Sequence, residues 1–188
     1  TFADVDKDGN IDVVCGSRTG TLYAWKYTGA PLSGFPVSNS TYAIYGATAV
    51  GDIDGDGDNE IVIAARYSSA SGKVVAYHHD GTIVAGWPKT TGCIYGSPVL
   101  ADLDNDLVPE VIVVSEDAKV YSWNGDGTAL AGWPFTLGGG GYSSPIVADL
   151  DLNGSLEVIV SASLDSYKTY VINANGTTAA GWPKQYGE

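Results

Sequence analysis

Residues 4–12 read Asp4-Val-Asp6-Lys-Asp8-Gly9-Asn10-Ile-Asp12, and the same acidic nonapeptide pattern begins again at Asp52, Asp102 and Asp149. Successive copies start 48, 50 and 47 residues apart. A second marker, Gly-Trp-Pro or Gly-Phe-Pro, keeps the same phase at residues 34–36, 86–88, 132–134 and 181–183. Two unrelated motifs with one spacing indicate that the chain consists of four tandem repeats.

Each repeat is predicted to form four short strands. In the third repeat, the segment 97–101 leads into the acidic loop, and the unbroken apolar run 111–114 predicts a strand buried on both faces. The segment 119–123 alternates in the manner of a half-buried strand, and a Gly-rich turn then leads to a fourth strand over 128–133. Repeats of this length with four strands are typical of β-propeller blades.

The composition agrees with an all-β fold. The 188 residues include 25 Gly, 8 Pro and no Met, which favours short strands joined by tight turns over a helical bundle. We therefore expect a single region over 1–188 made of four tandem, four-stranded antiparallel β-propeller blades. The blades are predicted to span 1–36, 37–88, 89–134 and 135–188. Because the sequence shows no strand shared between the first and last blades, we expect a processed or trimmed segment of a larger propeller, or a chain that completes its ring with other chains.

The acidic loops carry the ligands of a calcium site. Ca²⁺ takes about six to eight oxygen ligands, and alternate positions of a tightly curled loop bring oxygens to one point. An EF-hand would place its closing Glu at position 12 between helices, so these loops, closed at position 9, predict up to four Ca²⁺ ions bound between strands. The candidate ligands occupy positions 1, 3, 5, 7 and 9 of each copy: Asp4, Asp6, Asp8, Asn10 and Asp12; Asp52, Asp54, Asp56, Asp58 and Glu60; Asp102, Asp104, Asp106, the backbone carbonyl of Val108, and Glu110; Asp149, Asp151, Asn153, Ser155 and Glu157.

The four sites are not expected to be equal. Position 6, where a sharp bend favours Gly, is Leu107 in the third loop. The fourth loop has Asn153 in place of an Asp and so lacks one negative ligand. We predict that the second site binds most tightly and that the third or fourth binds most weakly.

The charge of the chain excludes some classes of partner. Acidic residues outnumber basic ones 22 to 9, for a net charge of −13, which argues against nucleic acid and anionic membrane surfaces as partners. The sequence also lacks an apolar run long enough for membrane insertion. Sixteen of the 22 acids lie in the four loops, so most of the acidity belongs to the predicted metal sites.

With its apolar-Ala-Asp lead-in, as in Val99-Leu100-Ala101-Asp102, the Asp-x-Asp-x-Asp-Gly-x-x-Asp/Glu loop resembles the FG-GAP/VCBS repeats of integrin α-subunit propellers and of bacterial secreted and surface proteins. The resemblance covers essentially the whole chain, although the Phe-Gly and Gly-Ala-Pro signatures survive only loosely, as in Tyr95-Gly96-Ser97-Pro98. It implies a structural calcium in each blade, bound by the loop residues named above, and no catalytic role for them. Loops of extracellular affinity, about 10⁻⁴ to 10⁻³ M, fill outside the cell, so we expect a secreted or cell-surface protein.

Three functions are compatible with the sequence. The first is a non-catalytic calcium-binding module that acts in adhesion by binding a protein or glycan ligand. The second is the propeller part of an enzyme, such as a polysaccharide lyase or a quinoprotein, and the third is a structural building block of a surface assembly. Since no nucleophile motif, phosphate loop or zinc signature is present, we favour the first.

Several other residues recur or stand out. Trp87, Trp133 and Trp182, with Phe35 at the matching place, are expected to pack between neighbouring blades rather than bind sugar. Cys15 is expected to be a buried small hydrophobe, and His78-His79 an exposed turn pair. The recurring tyrosines Tyr45, Tyr95 and Tyr142 are predicted either to line a central opening or to pack.

Overall fold

The computed structural model describes residues 1–38, 42–68, 70–162 and 166–186, and within these ranges all regular secondary structure is β-strand. Seventeen strands form four antiparallel sheets in chain order, one for each repeat. The predicted all-β, propeller-type organisation is thereby confirmed.

The first two sheets contain the first nine strands. The first sheet has the order β1-β2-β3-β4, formed by β1 (Phe2–Ala3), β2 (Asp12–Gly16), β3 (Thr21–Trp25) and β4 (Val37–Ser38). The second sheet consists of β5 (Ala43–Ile44), β6 (Ala49–Gly51), β7 (Glu60–Arg66), β8 (Gly72–Tyr77) and β9 (Lys89–Thr91). Its innermost strand is divided in two, because β5 and β6 pair with different parts of β7.

The last two sheets have four strands each and the same order. The third contains β10 (Val99–Ala101), β11 (Glu110–Ser115), β12 (Lys119–Trp123) and β13 (Phe135–Thr136). The fourth contains β14 (Ile146–Ala148), β15 (Glu157–Ala162), β16 (Lys168–Asn173) and β17 (Lys184–Gln185).

The outermost strand does not lie where the sequence predicted it. The segment 128–133 makes a single bridge, between Ala129 and Trp123, and then turns with the Trp133 N–H donating to the Leu130 carbonyl at 3.0 Å. The fourth strand of that sheet is β13, which begins after Pro134, so the prediction for 128–133 was wrong. The turn serves to direct Trp133 onto the next sheet. The first three sheets consequently end at Ser38, Thr91 and Thr136, two or three residues beyond the predicted blade boundaries.

The second strands of the inner sheets form the core because both of their faces are covered. Along β7, Ile61 and Ile63 pack in a cluster with the first sheet, whereas Val62 and Ala64 pack in a cluster with the third. β11 alternates in the same way between the second and fourth sheets. The unbroken apolar runs therefore predicted two-sided burial correctly, and each of the three hydrophobic clusters joins two successive sheets.

Cys15 shows what happens on a face without a neighbour. Side chains alternate along β2, so Val14 is buried against the second sheet and Cys15 points to the opposite side. Cys15 is exposed, and the prediction of a buried small hydrophobe was wrong. Within the described ranges, no hydrophobic cluster lies on that side of the first sheet.

One contact joins the second sheet to the third and the third to the fourth, and it explains the Gly-Trp-Pro marker of those repeats. The Nε1–H of Trp87 donates to the Gly125 carbonyl at 2.7 Å, and that of Trp133 donates to the Ala174 carbonyl at 2.9 Å. Both acceptors lie in the turn after the third strand of the following sheet. Trp87 and Trp133 are 7% and 6% exposed, which confirms the prediction that these residues pack between blades.

The glycine before each tryptophan allows this close approach. A Cβ at Gly132 would lie 2.1 Å from the Asn175 carbonyl oxygen, and one at Gly86 would lie 1.9 Å from that of Asp126. Gly181 has the same left-handed backbone, with φ of 84°, but apart from its chain neighbours no described residue lies within 4 Å of its ideal Cβ position. Gly132 is thus required for conformation and for space, whereas Gly181 is required for conformation alone.

This difference can be measured. Gly181→Ala should lower the free energy of unfolding by about 1 kcal/mol, the cost of a side chain in this backbone region. Gly132→Ala should cost about 2 kcal/mol more, because the sheets must also move apart. Urea unfolding of both variants beside the parent protein tests the contact, and equal losses would show that the sheets do not meet at Gly132.

Candidate metal centre

Each acidic loop connects the first and second strands of its sheet and is closed by a buried carboxylate. The closing acid at position 9 is the first residue of the second strand, and it accepts a hydrogen bond from the backbone N–H at position 2. The four bonds are Val5 N–H to Asp12 at 2.9 Å, Ile53 to Glu60 at 3.0 Å, Leu103 to Glu110 at 2.6 Å and Leu150 to Glu157 at 2.9 Å. The closing acids are at most 4% exposed, so this contact fixes the loop from inside.

The acids at positions 1, 3 and 5 are held by backbone hydrogen bonds within the loop. In the third loop, Leu107 N–H donates to Asp102 at 3.0 Å, Asp106 N–H donates to Asp104 at 3.2 Å, and Val108 N–H donates to Asp106 at 2.8 Å. The other loops repeat these three contacts with distances between 2.7 and 3.3 Å. Each carboxylate thereby keeps a second oxygen, or a second lone pair, available for a ligand.

The loops bring at least three acids together. Four groups have one oxygen from each member within 4.8 Å of the others: Asp4, Asp6 and Asp8; Asp52, Asp54 and Asp56; Asp102, Asp104 and Glu110; and Asp149, Asp151 and Glu157. Of the other predicted ligands, Asp12 and Glu60 close their loops, and Asp58 lies with its Oδ2 3.4 Å from Nδ1 of His79. Asp106 and Asn153 at position 5, and Asn10, Val108 and Ser155 at position 7, lie in the loop turns described above.

A further residue, which the sequence did not reveal, stands beside each loop. It is the last residue of the third strand or the residue directly after it, and it lies opposite the closing acid in the antiparallel register. The four residues at this position are Lys26, His78, Asn124 and Asn173. A signal was available in the sequence, since each precedes the turn of its repeat, but the position is occupied by three different residue types, which concealed it.

His78 was predicted to be an exposed turn residue, but its side chain lies against the second loop. Its Nδ1 lies 3.2 Å from Oε1 of Glu60 and 3.9 Å from Oδ2 of Asp54. The side chains of His78 and His79 are 27% and 39% exposed, because the turn after β8 folds back over the second loop. Asp54, Glu60 and His78 form a fifth group of side chains close enough to bind one metal ion.

Comparison with known protein families gives an assignment. A family model for the FG-GAP-like repeat matches residues 4–63, 52–113 and 102–160, each match running from one acidic loop through the next. The chain belongs to the FG-GAP-like repeat family. No curated protein matches it in sequence.

Solved structures share the fold of these FG-GAP-like repeats. The V. cholerae biofilm matrix protein Bap1 is 21% identical with a TM-score of 0.71, over 98% of this chain and 28% of its own. BBS1N, solved in complex with ARL6DN, is 15% identical with a TM-score of 0.64, over 100% of this chain and 53% of its own. Quinohemoprotein alcohol dehydrogenase ADHIIG from Pseudomonas putida HK5 is 19% identical with a TM-score of 0.61, over 98% of this chain and 35% of its own. The chain spans about half or less of the length of these proteins, and the likeness establishes the fold.

The described part of the FG-GAP-like chain includes no helix with the length and apolar character needed to cross a bilayer.

Burial and mutual repulsion raise the pKa of the closing acids Asp12, Glu60 and Glu110. The pKa of Glu110 is raised to about 7, first by burial and then by Asp104 and Asp106. The pKa of Glu60 is raised by burial and by Asp54, and that of Asp12 by burial and by Asp6. These three loops thus hold their negative charge at a cost, which a bound cation would reduce.

The FG-GAP-like loops also share an unusual backbone. Position 6 is left-handed throughout, with φ of 89° at Gly9, 96° at Gly57, 76° at Leu107 and 89° at Gly154. Leu107 is 89% exposed, so no packing offsets the strain of its conformation. Position 4 is left-handed as well, which the sequence did not show because Lys7, Gly55, Asn105 and Leu152 occupy it.

Exchanging residues at position 6 tests the strain. Leu107→Gly should raise the free energy of unfolding by about 1 kcal/mol, because glycine adopts positive φ without steric cost. The reverse change, Gly57→Leu, should lower it by a similar amount, since no atom lies within 4 Å of a Cβ there and only the backbone is strained. Denaturant unfolding curves measured at saturating Ca²⁺ check both. A loss of stability in Leu107→Gly would contradict this account.

Tyrosines form a second recurring feature, before or at the innermost strands. The ring of Tyr95 contacts the rings of Tyr45 and Tyr142, with centroid distances of 5.3 and 5.2 Å. The Arg18 guanidinium lies 4.8 Å from the Tyr45 ring centre, and hydrogen bonding to Arg18 and Arg66 lowers the pKa of Tyr45. Tyr45 and Tyr142 are 37% and 42% exposed, so the row presents aromatic surface to solvent.

Proposed function

We propose that this chain is a calcium-stabilised, non-catalytic propeller region of a secreted or cell-surface protein, which binds a protein or glycan ligand. One observation carries the calcium part of the proposal. In each of the four loops, oxygens of three acids lie within 4.8 Å of one another. Unit charges at such distances repel one another strongly unless a cation lies between them.

The donor set favours a hard cation. In each of the four loops, one group offers only carboxylate oxygens, which are ligands that Ca²⁺ prefers. In the third loop, Asp102, Asp104 and Glu110 would hold the ion, with Asp106 and the Val108 carbonyl beside them. The chemistry supplied by the ion would be structural, because it would tie the loop to the start of the second strand.

Two neighbours by fold support a binding role, and the first of them also supports an extracellular one. One similar structure is that of a biofilm matrix protein, and another was solved as a complex of two proteins. The row Tyr45, Tyr95 and Tyr142 offers exposed aromatic surface next to Arg18, which suits the face of a sugar ring or an aromatic side chain. Calcium sites of extracellular affinity are consistent with a secreted or surface location.

Calcium removal tests the metal part. An ion present at a hundred times its Kd stabilises the folded protein by about 2.7 kcal/mol. For a chain of this size, that is worth about 5–10 °C in Tm for each filled site. Differential scanning calorimetry with excess chelator should therefore show a lower Tm, restored by Ca²⁺. An unchanged Tm would contradict the proposal.

A matched pair of variants locates the effect in the loops. Asp104→Asn removes one charged ligand and should reduce the Tm gained on adding Ca²⁺. Asp117→Asn also removes one charge, but Asp117 lies outside the loops and accepts hydrogen bonds from Tyr121 and Gly92, which an amide oxygen can also accept. Its calcium response should equal that of the parent protein, and equal responses in both variants would show that the third loop binds no ion.

Ligand binding is tested separately. We expect glycan or matrix-protein binding, measured by array and then by calorimetry, to fall at least about tenfold in Tyr45→Ala, which removes an exposed stacking surface. Tyr27→Ala is the control, because Tyr27 is 66% exposed and outside the row. Equal binding by both variants would remove the row from the proposal.

Two alternatives remain as outcomes of experiment. The fold likeness to a quinohemoprotein alcohol dehydrogenase makes quinone-dependent dye reduction one relevant activity assay. Polyuronide cleavage is the assay for the polysaccharide lyase alternative. Turnover in either assay would replace the non-catalytic proposal with an enzymatic one. Filaments or rings in electron micrographs would favour the structural building block.

A further inference from the structure

Among the described residues, a lysine forms ion pairs with loop acids in the first loop alone. Nζ of Lys26 donates to Oδ2 of Asp6 at 2.6 Å and to Oδ2 of Asp8 at 2.7 Å. These acids occupy positions 3 and 5 and belong, with Asp4, to the group of oxygens that would bind an ion. The lysine therefore contacts two of the three acids on which a Ca²⁺ ion in this loop would depend.

The position of Lys26 is set by the fold and is shared by all four repeats. Asn173 pairs directly with the closing acid Glu157, and the register of the other sheets places Lys26 opposite Asp12 and Asn124 opposite Glu110. The residue at this position is therefore always presented to the loop of its own sheet. Asn124 and Asn173 bring a neutral amide, each donating its Nδ2–H to a turn threonine at 2.9 Å. Lys26 instead brings a full positive charge.

We propose that the Lys26 ammonium takes the place of the ion in the first loop, so that the chain binds three Ca²⁺ ions and not four. This inference rests on the proposed calcium function of the other loops. An ammonium group satisfies two carboxylates with its own N–H donors and needs no further ligands. A Ca²⁺ ion on the same oxygens would lie within a few ångströms of that ammonium, where the two cations repel each other strongly.

The interaction of Lys26 with Asp6 and Asp8 agrees with an ammonium group in the ion position of the first loop. Hydrogen bonding to Lys26 lowers the pKa of Asp8 to about 2, and hydrogen bonding to Asp6 and Asp8 raises the pKa of Lys26. In the ion-free loop, both partners therefore remain charged over the physiological pH range. Since a third of the Lys26 side chain is exposed, part of this attraction is screened by solvent.

The first loop nevertheless retains the groups for an ion once the lysine is removed. It has acids at positions 1, 3, 5 and 9, as the second and third loops do. Oδ1 of Asp4 and Oδ1 of Asp12 are buried without a hydrogen-bond partner among the described residues. Lys26 does not reach these two oxygens, and a divalent ion would give them a ligand. A neutral residue at position 26 should therefore create a fourth calcium site.

Reciprocal exchanges at the shared position test the inference. Bound Ca²⁺ is counted on the folded full chain by native mass spectrometry and by equilibrium dialysis with ⁴⁵Ca. The parent protein should bind three ions, Lys26→Asn should bind four, and Asn124→Lys should bind two. Each variant is the control for the other, because both exchange the same two residue types at the same register.

A second pair keeps the test independent of how the exchanges fold. Asp6→Asn should leave the count at three, because the first loop holds no ion, whereas Asp104→Asn should lower the occupancy of the third loop. Far-ultraviolet circular dichroism at saturating Ca²⁺ checks that each variant retains its strands.

The outcomes separate this inference from the proposed function. A parent count of four, or an unchanged count in Lys26→Asn, overturns the role of Lys26 and leaves calcium binding standing. A parent count of one or two likewise overturns the inference of three sites. A parent count of zero overturns the proposed function itself.

Discussion

Each sheet depends on one buried carboxylate that joins the two ends of its acidic loop. The closing acid begins the second strand and accepts the backbone N–H at position 2, so the loop path and the start of the central strand are fixed together. This placement puts a negative charge in the protein interior beside two or three others. A buried charge is costly unless it is paired. The need for positive charge in the loops is therefore a consequence of how the sheet is built.

The four loops meet this need with one backbone and different neighbours. The hydrogen bonds and left-handed positions of the loops are nearly identical, so the local geometry does not distinguish them. The difference comes from the residue opposite the closing acid, where Lys26 is cationic, His78 offers a ring nitrogen, and Asn124 and Asn173 are neutral. Because this residue is on another strand, it can change between repeats without disturbing the loop.

The sequence predicted the features that are local or periodic. The repeat spacing predicted the sheets, and the apolar run at 111–114 predicted a strand covered on both sides, since both signals lie in consecutive residues. The failures share a different cause. The exposure of Cys15, the contacts of His78 and the position of the fourth strand depend on which sheet or loop a segment faces. The sequence of a single strand does not show which segment packs against it. Lys26 was missed for the same reason, because its contact with Asp6 spans the sheet.

The contact between adjacent sheets is incomplete at the two ends of the array. Between adjacent sheets, a glycine of one lies against the turn of the next, as Gly132 does against Asn175 and Gly176. At the ends, Gly181 and the turn glycine Gly29 have the same left-handed backbone but no atom within 4 Å of an added Cβ. Each terminal sheet therefore carries one half of the docking contact that the inner sheets complete. These halves are complementary to each other. The contact between two sheets therefore needs a glycine from one sheet and a turn from the next, and neither sheet can make it alone.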